Sequence, residues 1–133
     1  MVAFVYKGQF VEPLVARTKR QTFCSRKRPP RVGEQLQHYS FMRTRHCRKI
    51  IPDTVCTEVR LVVIRVDADH PHIIAEVDFG DFKLRDHEIE RFAVADGFSP
   101  SEGCTARRAM GNFWMRHHGP GELIGHVIRW EAA

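Results

Sequence analysis

Val55-Cys56-Thr57-Glu58-Val59-Arg60-Leu61-Val62-Val63-Ile64-Arg65-Val66 is the stretch on which the fold turns. Val55, Thr57, Val59 and Leu61 alternate with Cys56, Glu58 and Arg60, the pattern of a strand with one buried face. Leu61-Val62-Val63-Ile64 then runs without a break, as in a strand covered on both sides. Asp67-Ala68-Asp69-His70-Pro71 reads as a turn after it. Ile73 to Val77 and Phe79 to Leu84 read as short strands, with a bend at Gly80-Asp81. Upstream, Cys47 to Ile51 is a strand that Pro52-Asp53 should end. Gln35 to Phe41 is another, entered through the turn Val32-Gly33-Glu34, and Ala3 to Tyr6 is a first short strand.

The helical signals lie outside this β-rich middle. Val11, Leu14 and Val15 share a helical face and Pro13 suits a first turn, which predicts a helix over Val11 to Arg17. It delivers the basic segment Lys19 to Thr22 at its C-terminal end. Glu88 to Val94 predicts a second short helix. Ser99-Pro100-Ser101-Glu102 is a capping-box pattern, with Ser99 as N-cap, for a helix running to about His118 and stopped by Gly119-Pro120. Ala106, Met110, Phe113 and His117 share a face of that helix. Ile124, His126, Ile128 and Trp130 alternate on a closing strand, with His126 read as a hydrogen-bonded core histidine. Many short strands with two or three peripheral helices, over one domain spanning 1–133, predict an α+β fold built on a small mixed β-barrel.

Charge is the feature most specific to this chain. Of its 21 Lys and Arg, eleven fall between Ala16 and Lys49, where Glu34 is the only acid. That stretch carries +10 and the remainder −5, within a net charge of +5. Charge so concentrated calls for a polyanionic partner. The bases lie among Pro, Gly and β-formers rather than along one amphipathic face, which argues against a membrane-surface helix. No apolar run approaches the ~18 residues of a membrane span, and the N-terminus lacks a signal-peptide pattern. The four cysteines, Cys24, Cys47, Cys56 and Cys104, form no Cys-x-x-Cys pair and are read as free thiols in a reducing cytoplasm. His70-Pro71-His72 beside Asp67 and Asp69, His46-Cys47, and His117-His118 lack zinc-ligand spacing, so the reading assigns no metal and no cofactor.

Taken in order, these motifs resemble the ASCH family, whose members have a PUA-like β-barrel fold. The family's Gly-x-Lys-x-x-Thr-x-Arg motif after a short helix is similar to Arg17-Thr18-Lys19-Arg20-Gln21-Thr22-Phe23-Cys24. Lys19 and Thr22 match at the right spacing. Arg17 stands where the family has Gly and Cys24 where it has Arg, with Arg26 as the nearest other guanidinium. The family's Val-Gly-Asp turn is similar to Val32-Gly33-Glu34. Arg43-Thr44 and Cys47-Arg48 look like the basic strand-loop-strand of phage-type members. Ala95-Asp96-Gly97-Phe98-Ser99 looks like its acidic-Gly-Phe turn, and Ile128-Arg129-Trp130 like its closing strand.

The resemblance implies a cleft, beside a helix-borne basic loop, that binds RNA or a nucleobase. It also implies, for some members, deacylation of acetylated cytidine by a lysine, a threonine and a carboxylate, which fall here on Lys19, Thr22 and Asp96; others are ribonucleases. Asp96 is one methylene shorter than the family's Glu, and Glu90 and Asp86 are the other nearby carboxylates. In chemical terms, a threonine becomes a nucleophile when a base such as a desolvated lysine takes its proton. In the binding reading the phosphate contacts come from Arg17, Lys19, Arg20, Arg26, Lys27, Arg28, Arg43 and Arg45. Tyr39, Phe23 or Phe41 stacks on an unpaired base. The leading expectation is an RNA- or nucleoside-binding module with no membrane association. The alternatives are a small amidohydrolase or ribonuclease, and a protein-interaction module whose basic face meets an acidic partner.

Overall fold

Strand β4 (Arg48–Val66) is the spine of the computed structural model, which describes residues 1–132. On one side it pairs with β3 (Gln35–Ser40), and β1 (Val2–Tyr6) lies parallel to β3 beyond it. On the other side it pairs with β6 (Gly121–Ala132), and β2 (Gln21–Cys24) pairs with β6. The sheet order is therefore β1-β3-β4-β6-β2, with β5 (Ile74–Asp78) added to the far end of β4. Three helices accompany it: α1 (Val11–Val15), entered through a single 3₁₀ turn at Gly8–Phe10, α2 (Asp86–Ala95) and α3 (Ala106–His117). The class is mixed α+β with a six-stranded sheet. No ladder joins β1 to β2 among the described residues, so the sheet is open rather than closed into a hydrogen-bonded barrel.

Pro52-Asp53 does not end a strand as the sequence predicts. Leu36 pairs with Thr54 and His38 with Ile51, so Pro52 and Asp53 together face the single residue Gln37. A bulge of this kind leaves a residue out of the ladder and tolerates a missing N–H, which lets β4 continue through proline. The apolar run in β4 is covered on one face only. Val62 and Ile64 are fully buried, whereas Leu61 is 57% exposed.

In β6 the predicted inward face holds only in part: Ile128 is fully buried, but residues of the opposite face are buried with it. Leu123 and Val127 are buried, Ile124 is 61% exposed, and His126 is half-buried with an Nδ1 that has no hydrogen-bond partner. A Cβ at Gly125 would lie 2.6 Å from the Cys24 carbonyl oxygen and from the Phe23 ring, so β2 packs too closely there for a side chain.

Helix α3 starts six residues later than the capping-box pattern predicts. Its N-cap is Thr105, whose Oγ1 accepts from the Arg108 N–H at 3.1 Å. The Glu90 carboxylate, reaching over from α2, accepts from the Ala106 and Arg107 N–H groups at 3.0 and 2.8 Å. A tertiary partner thus satisfies the helix N-terminus and outweighs the local Ser99 signal. Ser101 and Cys104 exchange backbone hydrogen bonds and close the intervening turn. Phe79 to Leu84 is also a turn rather than a strand, held by Phe79 N–H on the Phe82 carbonyl and by one bridge, Asp78 to Lys83.

Leu14, Leu36, Ile64, Ile74, Met110 and Ile128 form the centre of the core. Arg107 is buried with them, its guanidinium donating to the Ile74 carbonyl and to Asp86. Cys24, Cys47, Cys56 and Cys104 are all free thiols. Among the described residues no helix is long and apolar enough to cross a membrane. Among the described residues no three His, Cys, Asp or Glu side chains gather to hold a metal ion.

The capping geometry sets two expectations for urea unfolding. Thr105→Ala lowers stability by about 1 kcal/mol. Ser99→Ala changes it by less than about 0.5 kcal/mol, because Ser99 caps no helix.

Candidate functional site

Two helix ends build the site. At the end of α1 the Arg17 N–H donates to the Leu14 carbonyl and the Thr18 N–H to the Pro13 carbonyl, with Arg17 at φ 66. At the end of α2 the Gly97 N–H donates to Val94 and the Phe98 N–H to Ala93, with Gly97 at φ +106. Both are Schellman motifs, in which the left-handed residue turns the chain sharply off the helix. The first throws Lys19 and Arg20 toward the second. The Arg20 N–H then donates to the Ala95 carbonyl at 2.8 Å, and Lys19 Nζ donates to the Asp96 carbonyl at 2.5 Å. The C-terminus of α2 is therefore capped by the segment leading into β2. A cation at that position is favoured by the helix dipole.

Lys19 is 3% exposed, and its Nζ also donates to the Gln21 carbonyl at 2.7 Å. The ammonium lies 4.9 Å from the centre of the Phe10 ring and 5.5 Å from that of Tyr6. Burial lowers its pKa to about 8, against the opposing pull of the Asp96 charge. The Asp96 side chain is equally buried. Burial pushes its carboxyl up, and Lys19, the Gln21 amide (3.5 Å from Oδ1) and the Phe23 N–H pull it back. Gly97 leaves the room that this requires. A Cβ there would come within 2.7 Å of Lys19 Cδ and 2.8 Å of the Phe10 ring.

These groups stand at the polar end of a cleft of about 320 Å³ between the free edges of β1 and β2. Thr22 and Cys24 line it from β2, and Phe4 and Tyr6 from β1. Phe98, Phe113 and Trp114 form its apolar wall. Phe10 and Phe98, Phe98 and Phe113, and Phe113 and Trp114 meet edge to face at 5.0 to 5.4 Å between centres, which makes that wall a mutually braced aromatic cluster. Arg26 bridges the opening. Its Nη2 donates to the Ala3 carbonyl at 2.6 Å, and its guanidinium lies 4.9 Å over the Phe4 ring. Behind the cleft, Tyr6 Oη and His38 Nδ1 are 2.9 Å apart, and His38 Nε2 and Thr54 Oγ1 2.8 Å. Burial lowers the His38 pKa to about 4 and raises that of Tyr6.

The structure thus brings Lys19, Thr22, Asp96 and Arg26 together in one cleft. Arg20, the next residue after Lys19, lines a separate groove on the other side of β2. Arg17, Lys27 and Arg28 are exposed on the turns flanking β2, and Arg43 and Arg45 on the exposed connection between β3 and β4. Tyr39 is half-buried in β3, beside Lys49 rather than in the cleft. Of the aromatic candidates only Phe23 lines it; Phe41 is 60% exposed on the β3–β4 connection. Glu90 and Asp86 are committed elsewhere, to the α3 N-terminus and to Arg107, which leaves Asp96 as the cleft's carboxylate.

Sequence reasoning missed Tyr6, His38, Gln21 and most of the aromatic wall. The available signal was the spacing of Phe4, Tyr6 and Phe10 around the α1 entry, together with Phe98 and Phe113 near the basic segment's partner turn. No family model matches the chain, and no curated protein and no solved structure matches it.

Lys19→Met removes the charge that opposes the upward shift of Asp96. The folded carboxyl then titrates still further above its unfolded value, so between the two pKa values the folded state binds a proton that the unfolded state releases. Stability therefore falls as pH rises through that window. The variant loses about 3 kcal/mol at pH 7 and less at pH 5, read from denaturant unfolding at both pH values. Arg17→Gly, which relieves a side chain from the left-handed region at the α1 terminus, raises stability by about 0.5 kcal/mol in the same assay.

Proposed function

We propose that the cleft is a nucleobase-binding site in an ASCH-type, PUA-like module that recognises RNA or a nucleoside. The observation that carries this reading is the pairing of an aromatic wall with a buried Lys19–Asp96 pair and Thr22 at one end of the same cleft. A nucleobase is a flat aromatic with a polar edge. It stacks on rings such as Phe113 and Trp114 while donors and acceptors meet its edge. The volume lies at the low end for small-ligand sites and suits one base with its sugar.

Three further details support the family resemblance. Lys19 and Thr22 share one cleft, and Arg26, the guanidinium nearest to Cys24 where the motif's arginine is replaced, lines the same cleft. Arg17, in place of the motif's glycine, takes the left-handed conformation that glycine adopts freely. The two free sheet edges also run in opposite directions across the cleft and are bridged by Arg26, as in a barrel opened along one seam.

Trp114 lies in the cleft and Trp130 outside it, so Trp130→Phe leaves a single reporter. Cytidine quenches the Trp114 emission of this variant saturably, and Thr22→Val weakens the apparent affinity about tenfold, the worth of one hydrogen bond. The absence of saturable quenching by any of the four ribonucleosides would overturn the reading.

A second reading, deacylation of an acylated cytidine, draws on Lys19's lowered pKa. A cleft lysine that titrates near pH 8 is a candidate general base. Thr22 Oγ would bond to the acyl carbon as its proton passes to neutral Lys19. The carbon–nitrogen bond would then break, with that proton moving to the leaving amine, and water would hydrolyse the acyl-threonine. Binding takes precedence because Lys19 Nζ donates to two backbone carbonyls and, among the described residues, makes no hydrogen bond to Thr22 Oγ1. Acetate release from acetylated cytidine decides between the two. An enzyme shows turnover that rises with pH and levels off above about 8, as Lys19 becomes neutral, and that is lost in Lys19→Ala. A binding module shows no release above background.

A further inference from the structure

A second cavity, of about 500 Å³, lies on the other side of β2, between that strand and α2. Arg20, Arg91 and Arg129 line it together with Trp130, Phe92 and Glu88. Two of its charges are already committed. The Glu88 carboxylate accepts from the Arg85 N–H and guanidinium, and Arg129 is held by Gln21 and Glu58. Arg20 and Arg91 are exposed, and among the described residues neither guanidinium has a hydrogen-bond or ion-pair partner. The groove therefore combines two uncommitted guanidinium groups with a half-buried indole. Unpaired arginines beside an aromatic ring match the phosphate and base of a nucleotide.

The position of the groove links it to the cleft. Lys19 and Arg20 are consecutive residues, one lining the cleft and the other the groove, and exposed Arg17 lies just upstream of them at the end of α1. We infer that the protein's ligand is a single-stranded polynucleotide rather than a free nucleoside: one base enters the aromatic cleft, and the chain passes over the Arg17–Arg20 turn to lay a neighbouring nucleotide in the Arg20/Arg91/Trp130 groove. The inference rests on the nucleobase reading of the cleft and extends it to the length and charge of the ligand.

The test compares cytidine with a fluorescein-labelled ten-nucleotide oligocytidylate RNA across a range of salt concentrations. The wild-type protein binds the RNA at least tenfold more tightly than cytidine. Arg20→Ala/Arg91→Ala loses most of that gain, and the slope of log affinity against log salt falls by about 1.4, the value for two single-strand phosphate contacts. Arg91→Ala alone, remote from the cleft, weakens RNA binding and leaves the cytidine titration unchanged. The inference is overturned if the RNA binds no more tightly than cytidine, or if the double variant keeps the wild-type affinity and salt slope; in both cases cytidine quenching of Trp114 still stands. Loss of both cytidine and RNA binding in the wild-type protein overturns the reading of the cleft and the inference with it.

Discussion

The Lys19 ammonium, buried against the C-terminal carbonyl of α2, is the interaction on which the site depends. It fastens the start of β2 to the end of α2, and Arg20 reinforces the joint by donating its backbone N–H one residue away. A buried ammonium is tolerated only where hydrogen bonds and countercharge replace its water. Here two carbonyls supply the hydrogen bonds, Asp96 supplies the charge, and the faces of Phe10 and Tyr6 add their quadrupoles. The same contacts that hold the polypeptide together leave a perturbed lysine and carboxylate at the end of an aromatic cleft. The pair that fastens the two segments therefore also lines the cleft.

The cleft exists because the sheet stays open. β4 is long enough to pair with β3, β5 and β6, and the outermost strands β1 and β2 then approach one another without a ladder. An unpaired edge invites association with another chain. Here the edges are kept short, at five and four residues, and Arg26 closes one end of the gap. The remaining opening is lined by side chains from both edges and floored by α3. Its shape therefore depends on the position of α3 as much as on the sheet. That position follows in turn from Glu90 reaching across to cap α3 at Ala106 and Arg107.

In the proposed reading, charge and shape divide the work of recognition. The bases of the Ala16 to Lys49 segment do not converge on one pocket. Arg26 faces the cleft, Arg20 the groove behind it, and the others stand exposed on turns and on the β3–β4 connection. Dispersed exposed cations suit the long-range attraction of a polyanion and contribute little discrimination. In the proposed reading, discrimination belongs to the aromatic part of the site, where an unmatched polar group would be left unsatisfied.

Local pattern was enough for elements whose signals had no competitor. Val55 to Val66 appears as strand, Glu88 to Val94 as helix, and Lys19 with Thr22 as a motif worth singling out, because alternation, helical spacing and short-range motif spacing are properties of neighbouring residues. It was not enough where a distant partner held the deciding vote. Pro52 passes through a bulge set by β3, α3 begins after Thr105 because Glu90 caps it, and β6 buries Leu123 and Val127 of one face beside Ile128 of the other. The cleft itself lies in this second category. The sequence by itself determined the mixed α+β class, the clustering of charge and the chemical identity of Lys19, Thr22 and Asp96. Only the tertiary structure decided that these three meet, beside aromatic rings from α3 and β1, because burial and desolvation arise from contacts between residues as far apart as Lys19 and Asp96, and composition carries no record of them.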